Sequence, residues 1–299
     1  MLTTAALIAA VPDAILVVDA AGTIRLANPR AEELFAYAPE ALLGRSIDDL
    51  VPAALAARHA RHRMAYLQEP KARPMGQDLE LRGRRADGTE FPIDVALGPA
   101  EVEGEQFVVA VVRDITERKL HQDELRYLSE HDALTGLLNR RGLDRQLAQA
   151  MAQARRHSLA TVLLLMDLDR FKLLNDRFGH LEGDRFLCNV VQGLRERLRA
   201  GDTVARLGGD EFAIILPYSS PAAAKAVAGE LLEVVRDAAR EATGGTIAIT
   251  ASIGIVPLGL PGQDVVAALA AADGAMYDAK RAGGDGVSIA RTACAHGAR

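Results

Sequence analysis

Disulfides are the first thing this sequence lacks. Its 299 residues hold two cysteines, Cys188 and Cys294, too few for a cross-linked framework. Cys188 falls in an apolar helical pattern and Cys294 in a polar stretch, so both read as reduced thiols of a cytosolic protein. A basic excess is missing too: 35 Lys and Arg stand against 40 Asp and Glu, a formal net charge of −5. Surfaces that track nucleic-acid phosphates need clustered Lys and Arg, so broad nucleic-acid binding is excluded. A small phosphate ligand is not excluded, because it needs only a local site. No apolar run approaches the roughly 20 residues of a membrane span. Residues 1–10 are apolar, but they lack a basic flank and stop at Pro12-Asp13, unlike a signal peptide. The expectation is a soluble, cytoplasmic chain with no membrane insertion.

What is present is the balance of an ordinary globular protein, 49% hydrophobic and 25% charged, and the length favours two domains. In the first block Ala14–Asp19 reads as a strand, turned at Ala21-Gly22 into a hairpin partner, Thr23–Ala27. Helical segments broken by Pro39, Gly44 and Pro52 follow. Gln77–Arg82, Glu90–Leu97 and Gln106–Asp114 then read as strands separated by the turn dipeptides Asp87-Gly88 and Glu103-Gly104. From Asp114 to Glu130 the chain is charged, free of Gly and Pro, and carries Ile115, Leu120, Leu125 and Leu128. This narrow apolar stripe predicts a helix, either a monomeric surface helix or one that pairs with its twin in a parallel coiled coil.

The second block alternates helical patterns with strand patterns. Helices are expected over Arg141–Arg156, Asp184–Arg199, Pro221–Ala242 and Asp264–Ala282; strands over Thr161–Met166, Thr203–Leu207, Phe212–Pro217 and Thr246–Val256. Such alternation predicts a sheet covered by helices.

Thr161–Met166 is apolar at every position after its first, the mark of a central strand buried on both faces. Asp167 and Asp169 follow it directly. Buried carboxylates repel one another and lose hydration, a cost that a bound divalent cation would offset; equally, the pair could mark the strand's exit into solvent. Gly208-Gly209 sits between two apolar strands, where glycine permits positive φ and close approach of a ligand. Asp210 and Glu211 come next. Two acidic clusters at strand ends could converge on one cation, and oxygen donors at that density suit Mg²⁺ carrying nucleotide phosphates.

The run Gly208-Gly209-Asp210-Glu211-Phe212 matches the naming motif of the diguanylate cyclase (GGDEF) family. The stretch from Asp167 through Lys172, Asn175 and Gly179-His180 to Gly183-Asp184 resembles that family's nucleotide-binding segment. His131-Asp132-Ala133-Leu134-Thr135-Gly136-Leu137-Leu138-Asn139-Arg140-Arg141 resembles the motif that opens its domain. Three motifs in order over about residues 129–290 make the resemblance specific. It implies a dimeric enzyme condensing two GTP into cyclic di-GMP, with two Mg²⁺ per active site. Asp167, the Leu168 carbonyl and Asp210 would hold metal, with Asp210 also the base near the attacking hydroxyl and Glu211 its support. Lys172 and Lys280 would meet phosphates, Asn175 and Asp184 would read the guanine edge, and Phe171, His180, Gly208 and Gly209 would lie beside the nucleotide. Arg199-Ala200-Gly201-Asp202 resembles the family's product-inhibition site, with Arg199 and Asp202 clasping cyclic di-GMP; a helix C-terminus stopped at Gly201 would look the same. Some relatives carry Arg four residues after the lysine, where this chain has Gly284.

The first block resembles a PAS sensor domain through its strand order, Asp87-Gly88-Thr89-Glu90-Phe91-Pro92 and the closing Asp114-Ile115-Thr116-Glu117-Arg118. In haem-binding relatives a histidine at about the place of His59 ligates iron, but a basic solvated helix face reads the same way. With no cysteine in this block, a flavin–cysteinyl photosensor is disfavoured. The expected architecture is thus α+β: a PAS-like sensor at 1–118, a linker helix at 119–130, a helix-covered cyclase domain at 131–290 and a disordered tail at 291–299. Two rival readings stand beside it: an inactive module that binds GTP or cyclic di-GMP, and a haem-based gas-sensing cyclase.

Overall fold

The computed structural model describes residues 4–68, 71, 73–75 and 80–290. The expected tail and the first half of the strand expected over Gln77–Arg82 lie outside the described residues. The chain divides into two compact units, residues 1–123 and 124–299.

The first unit begins with α1 (Thr4–Ala9), β1 (Ala14–Asp19), β2 (Ile24–Ala27) and α2 (Pro29–Phe35). A short 3-10 turn, Ile47–Leu50, leads into α3 (Ala53–Gln68). β3 (Arg73–Met75), β4 (Arg82–Arg84), β5 (Glu90–Val102) and β6 (Glu105–Asp114) complete an antiparallel sheet in the order β2-β1-β6-β5-β3, with β4 also on β5. β5 runs past Gly98-Pro99, further than the hydrophobic pattern suggested, because β6 pairs with it as far as Val102↔Glu105. Alternate residues of β1 face the core, where Leu16, Val18, Ile24, Phe35 and Phe91 are buried. Buried Asn28 ties this corner together: its side chain accepts from Ile15 N at 2.9 Å and caps α2 at Ala31 N.

α4 (Thr116–Glu130) spans the division between the units and buries none of its residues. Leu120, Leu125 and Leu128 are each more than 60% exposed.

The second unit runs α5 (Arg140–His157), β7 (Thr161–Asp169), α6 (Phe171–Phe178), α7 (His180–Arg197), β8 (Thr203–Gly208), β9 (Glu211–Pro217), α8 (Pro221–Thr243), β10 (Thr250–Pro257), α9 (Val265–Arg281) and β11 (Gly286–Ile289). The sheet order is β11-β10-β7-β9-β8. β7 is central and antiparallel to both neighbours, with β11 parallel to β10. Its unbroken apolar run serves two cores by simple alternation. Val162, Leu164, Met166 and Leu168 pack with α6, α7 and α8, whereas Leu163 and Leu165 pack with α5 and α9.

Three expectations need correction. β7 does not stop before Asp167 but runs through Asp169, because Asp167 pairs with Glu211 and Asp169 with Thr250 on the flanking strands. Asp184 lies inside α7, not at its start, and a separate helix, α6, precedes it. β10 starts at Thr250, since Gly244 and Gly245 turn the chain at positive φ after α8.

α9 approaches β10 closely through small residues, Ala268, Ala272 and Ala275 among them. At Gly254, a Cβ would stand 2.1 Å from the Ala272 carbonyl oxygen and 2.4 Å from Met276 N. Both are backbone atoms, so no side-chain rotation relieves the clash. Gly254→Ala is therefore expected to cost about 3 kcal/mol, lowering the melting temperature of this unit by about 6–12 °C. A calorimetric scan showing a shift below about 2 °C would contradict that packing account.

Candidate active site

β8 and β9 form a hairpin with Gly208 at φ 146° and Gly209 at φ 53°, values that a side-chain-bearing residue adopts only with strain. The ladder shifts register between Arg206 and Gly208, and Arg206 turns back on the tip. Its Nε and Nη2 donate to the Gly209 carbonyl at 3.0 and 2.8 Å, and its Nη1 donates to Asp132 Oδ1 at 3.0 Å. Asp132 also accepts from Thr135 N and Thr135 Oγ1. Burial pushes the Asp132 carboxyl up, but the bonds from Thr135 and Arg206 outweigh it and hold it below the usual range. Leu138 O accepts from Arg206 N, and Asn139 Nδ2 donates to Ser129 O at 2.9 Å. The opening motif thereby joins the end of α4 to the hairpin tip.

Four carboxylates gather where β7 ends. Asp167 faces the α9 side of the sheet, like Leu165 and Leu163 two and four residues before it. Leu168 N donates to Asp210 O at 3.2 Å, which sets the hairpin tip beside β7. Asp169 is saturated by neutral donors: Thr250 Oγ1 at 2.8 Å, Ser252 Oγ at 2.9 Å and Asp285 N at 3.0 Å. Asp167 instead pairs with Lys280 Nζ at 2.7 Å. Burial pushes its carboxyl above the usual range, with Asp210 and Asp169 adding to the rise and Lys280 opposing it. Glu211 is raised too, first by burial and then by Asp167, Asp210 and Asp273.

A cleft of about 590 Å³ collects Asp167, Leu168, Phe171, Lys172, Asp210 and Lys280. α6 starts on its wall. The residue before it, Arg170, sits at φ 64° and offers no side-chain acceptor to the first N–H groups. A helix N-terminus of this kind is suited to phosphate oxygens. Asn175, His180 and Asp184 stand outside that lining, at the corner of α6 and α7. There Gly183 leaves room for the Asn175 amide, since a Cβ would lie 1.9 Å from Asn175 Oδ1 and would turn that side chain aside. Glu211 opens instead onto a neighbouring cleft with Arg140, Asp144, Leu207 and Asp273. Gly284, at φ 73° with Asp169 Oδ2 3.1 Å from where its Cβ would be, lies in a turn that suits glycine. Arg199 and Asp202 close a small turn: Arg199 N donates to Asp202 Oδ2 at 2.8 Å and Asp202 N to Arg199 O at 2.9 Å. The Arg199 side chain is exposed and makes no ion pair among the described residues.

Among the described residues no three His, Cys, Asp or Glu side chains form a metal-holding group by themselves. Asp167 and Asp210 with the Leu168 carbonyl make a partial oxygen set, which fits Mg²⁺, an ion usually held by one or two carboxylates plus substrate phosphates. Haem does not fit in the same way. His59 Nδ1 is 2.5 Å from Asp48 Oδ1, and the adjoining cavities beneath α3 measure about 110 and 160 Å³, below the usual range for a large ligand.

Sequence reasoning passed over Arg206, Asp285 and Arg236. Arg206 carried a signal, a charge inside the otherwise apolar pattern Thr203–Leu207. The bidentate pair of Arg236 with Asp285 joins α8 to the turn before β11 and had none, because 49 residues separate the partners.

The diguanylate cyclase GGDEF domain model matches residues 129–286 and a PAS fold model matches residues 8–120. The chain belongs to the GGDEF diguanylate cyclase family, whose members are generally metal-dependent. An uncharacterized signaling protein of Caulobacter vibrioides is 36% identical over 245 residues, 79% of this chain and 30% of the relative. Diguanylate cyclase DgcM of Escherichia coli is 36% identical over 201 residues, 65% of this chain and 47% of that protein. The coiled coil and GGDEF domain of DgcB from Caulobacter crescentus, solved in complex with c-di-GMP, superposes with a TM-score of 0.52 at 28% identity, covering 59% of this chain and 93% of that one. The chain thus spans between about a quarter and a half of the length of the curated relatives it matches. Among the described residues no helix is long and apolar enough to cross a membrane.

If Arg206 holds the hairpin tip, Arg206→Ala should speed amide exchange at residues 207–211 by about tenfold while β7 and β10 keep their protection. Unchanged exchange at the tip, read by mass spectrometry of deuterated peptides, would remove that role.

Proposed function

We propose that the protein is an active diguanylate cyclase that condenses two GTP into cyclic di-GMP and two pyrophosphates. One observation carries this reading: Asp167, Asp210, Lys172, Lys280 and the uncapped start of α6 converge on one cleft. Mg²⁺ held by Asp167, Asp210 and the Leu168 carbonyl would neutralise phosphate charge. Asp210 takes the proton from the 3′-hydroxyl of one GTP as that oxygen bonds to the α-phosphorus of the other. The bond to the β-phosphate breaks and pyrophosphate leaves; the second half-reaction repeats this with the roles exchanged. Lys172, Lys280 and the α6 N–H groups stabilise the charge that builds on the leaving group. Asn175 and Asp184, an amide and a carboxylate at one corner, suit the donors and acceptors of a guanine edge.

Each domain binds one nucleotide, so turnover requires two domains face to face. The exposed leucines of α4 support pairing through that helix, and the PAS unit then regulates how the pair is presented. Arg199 and Asp202 form the product-inhibition site. The exposed guanidinium suits a phosphate or guanine, and the turn holds the two residues together.

With GTP and Mg²⁺, the purified chain is expected to release cyclic di-GMP, and Asp210→Ala to lower that rate by about 1,000-fold with the circular dichroism unchanged. Binding of GTP without any product would favour a receptor module instead. Arg199→Ala should leave the initial rate within about twofold and raise the product concentration for half-inhibition by about tenfold; inhibition that persists unaltered would exclude this site.

A further inference from the structure

Lys280 makes the one ion pair of the four gathered carboxylates among the described residues, Nζ to Asp167 Oδ1 at 2.7 Å. The two partners are unlike in exposure: the lysine side chain is 37% exposed, that of Asp167 only 13%. Lys280 closes the last turn of α9, where Gly283 N donates to its carbonyl and Gly284 N to that of Ala279. The backbone there is fixed, while a four-carbon stem leaves the ammonium free to swing. Asp169, two residues on, is satisfied wholly by neutral donors that no cation need displace.

We propose that Lys280 is a resident counter-ion of the metal-binding carboxylate, one that moves from Asp167 to the triphosphate when cation and nucleotide arrive together. The inference rests on the reading that Asp167 holds the cation. Lys280 Nζ holds Asp167 Oδ1, and an ammonium and a divalent cation on one carboxylate repel each other, so the metal favours release of the lysine. Eviction strips Lys280 of its partner inside a cleft that also holds Asp210. Phosphate oxygens lying against Lys172 and α6 supply a replacement. The metal alone therefore binds weakly, and metal and nucleotide strengthen each other by the same factor, as linkage requires. Lys280 is in this way a binding residue for the phosphates and also the device that keeps the cation site closed to bare metal.

The probe is Mn²⁺, titrated into the nucleotide-free full chain and followed by the paramagnetic signal of the free ion. Lys280→Met and Lys280→Gln should each tighten Mn²⁺ binding by at least about fivefold, while Lys280→Arg, which keeps a cation, should stay near wild type. Lys172→Met, which removes a charge from the same cleft without touching Asp167, should change it by less than about twofold. In a second titration, GTP with a methylene bridge between the α- and β-phosphates reports the coupling without turnover. Mn²⁺ should tighten its binding in wild type, and that gain should shrink in Lys280→Met. Equal Mn²⁺ affinity in wild type and a folded Lys280→Met protein would overturn the exchange. So would an equal tightening of Mn²⁺ binding in Lys172→Met, which would mean general relief of charge. Cyclic di-GMP formation is read separately, so an active enzyme without this exchange would remove the inference and leave the function standing.

Discussion

Negative charge at the end of a strand buried on both faces is the constraint around which the second unit is organised. β7 satisfies its backbone through β9 and β10, and its apolar side chains fill two cores. Asp167 and Asp169 then bring carboxylates to a place that hydrates them poorly. The structure treats the two differently. Asp169 receives three neutral donors and becomes a structural post that holds β10 and the turn before β11. Asp167 receives a single cation, Lys280, and its carboxyl is raised by burial and by Asp210 and Asp169.

That difference depends on how near α9 comes to the sheet. Gly254 and the alanines of α9 remove the side chains that would hold the helix away, and the approach delivers Lys280 to Asp167. Beyond Lys280, Gly283 and Gly284 bend the chain at positive φ, and Arg236 anchors Asp285 from α8. A larger residue at 284 would press on the Asp169 carboxylate. The glycine that stands where some relatives carry arginine thus belongs to the turn that Asp169 organises.

The hairpin tip has its own support. Two motifs that look independent in the sequence, residues 131–141 and 208–212, are one structure because Arg206 bonds both Asp132 and the Gly209 carbonyl. The same motif holds the C-terminal end of α4 through Asn139. A displacement of that helix end would therefore load the turn that carries Asp210.

Much of this was legible beforehand, for local reasons. Hydrophobic alternation, glycine at the turns and carboxylates at strand ends are properties of neighbours in the chain, so β1, β8, β9 and α8 emerge within a few residues of where they lie. Of the residues that the family resemblance singles out, Asp167, Leu168, Phe171, Lys172, Asp210 and Lys280 line one cleft, whereas Asn175, His180 and Asp184 stand outside it. What had no local signal stayed hidden: β11, which exists only because β10 offers an edge; α6, too short to show a period; and the extension of β7 through Asp169, imposed by its partners. The sequence by itself determined the fold class, the acidic and glycine-rich elements and their order. Only the tertiary structure decided which carboxylate is bonded by neutral donors, which meets Lys280, and which turns into the neighbouring cleft. Those outcomes depend on distances across strands and helices far apart in the chain, where a single missing Cβ decides whether two elements can touch.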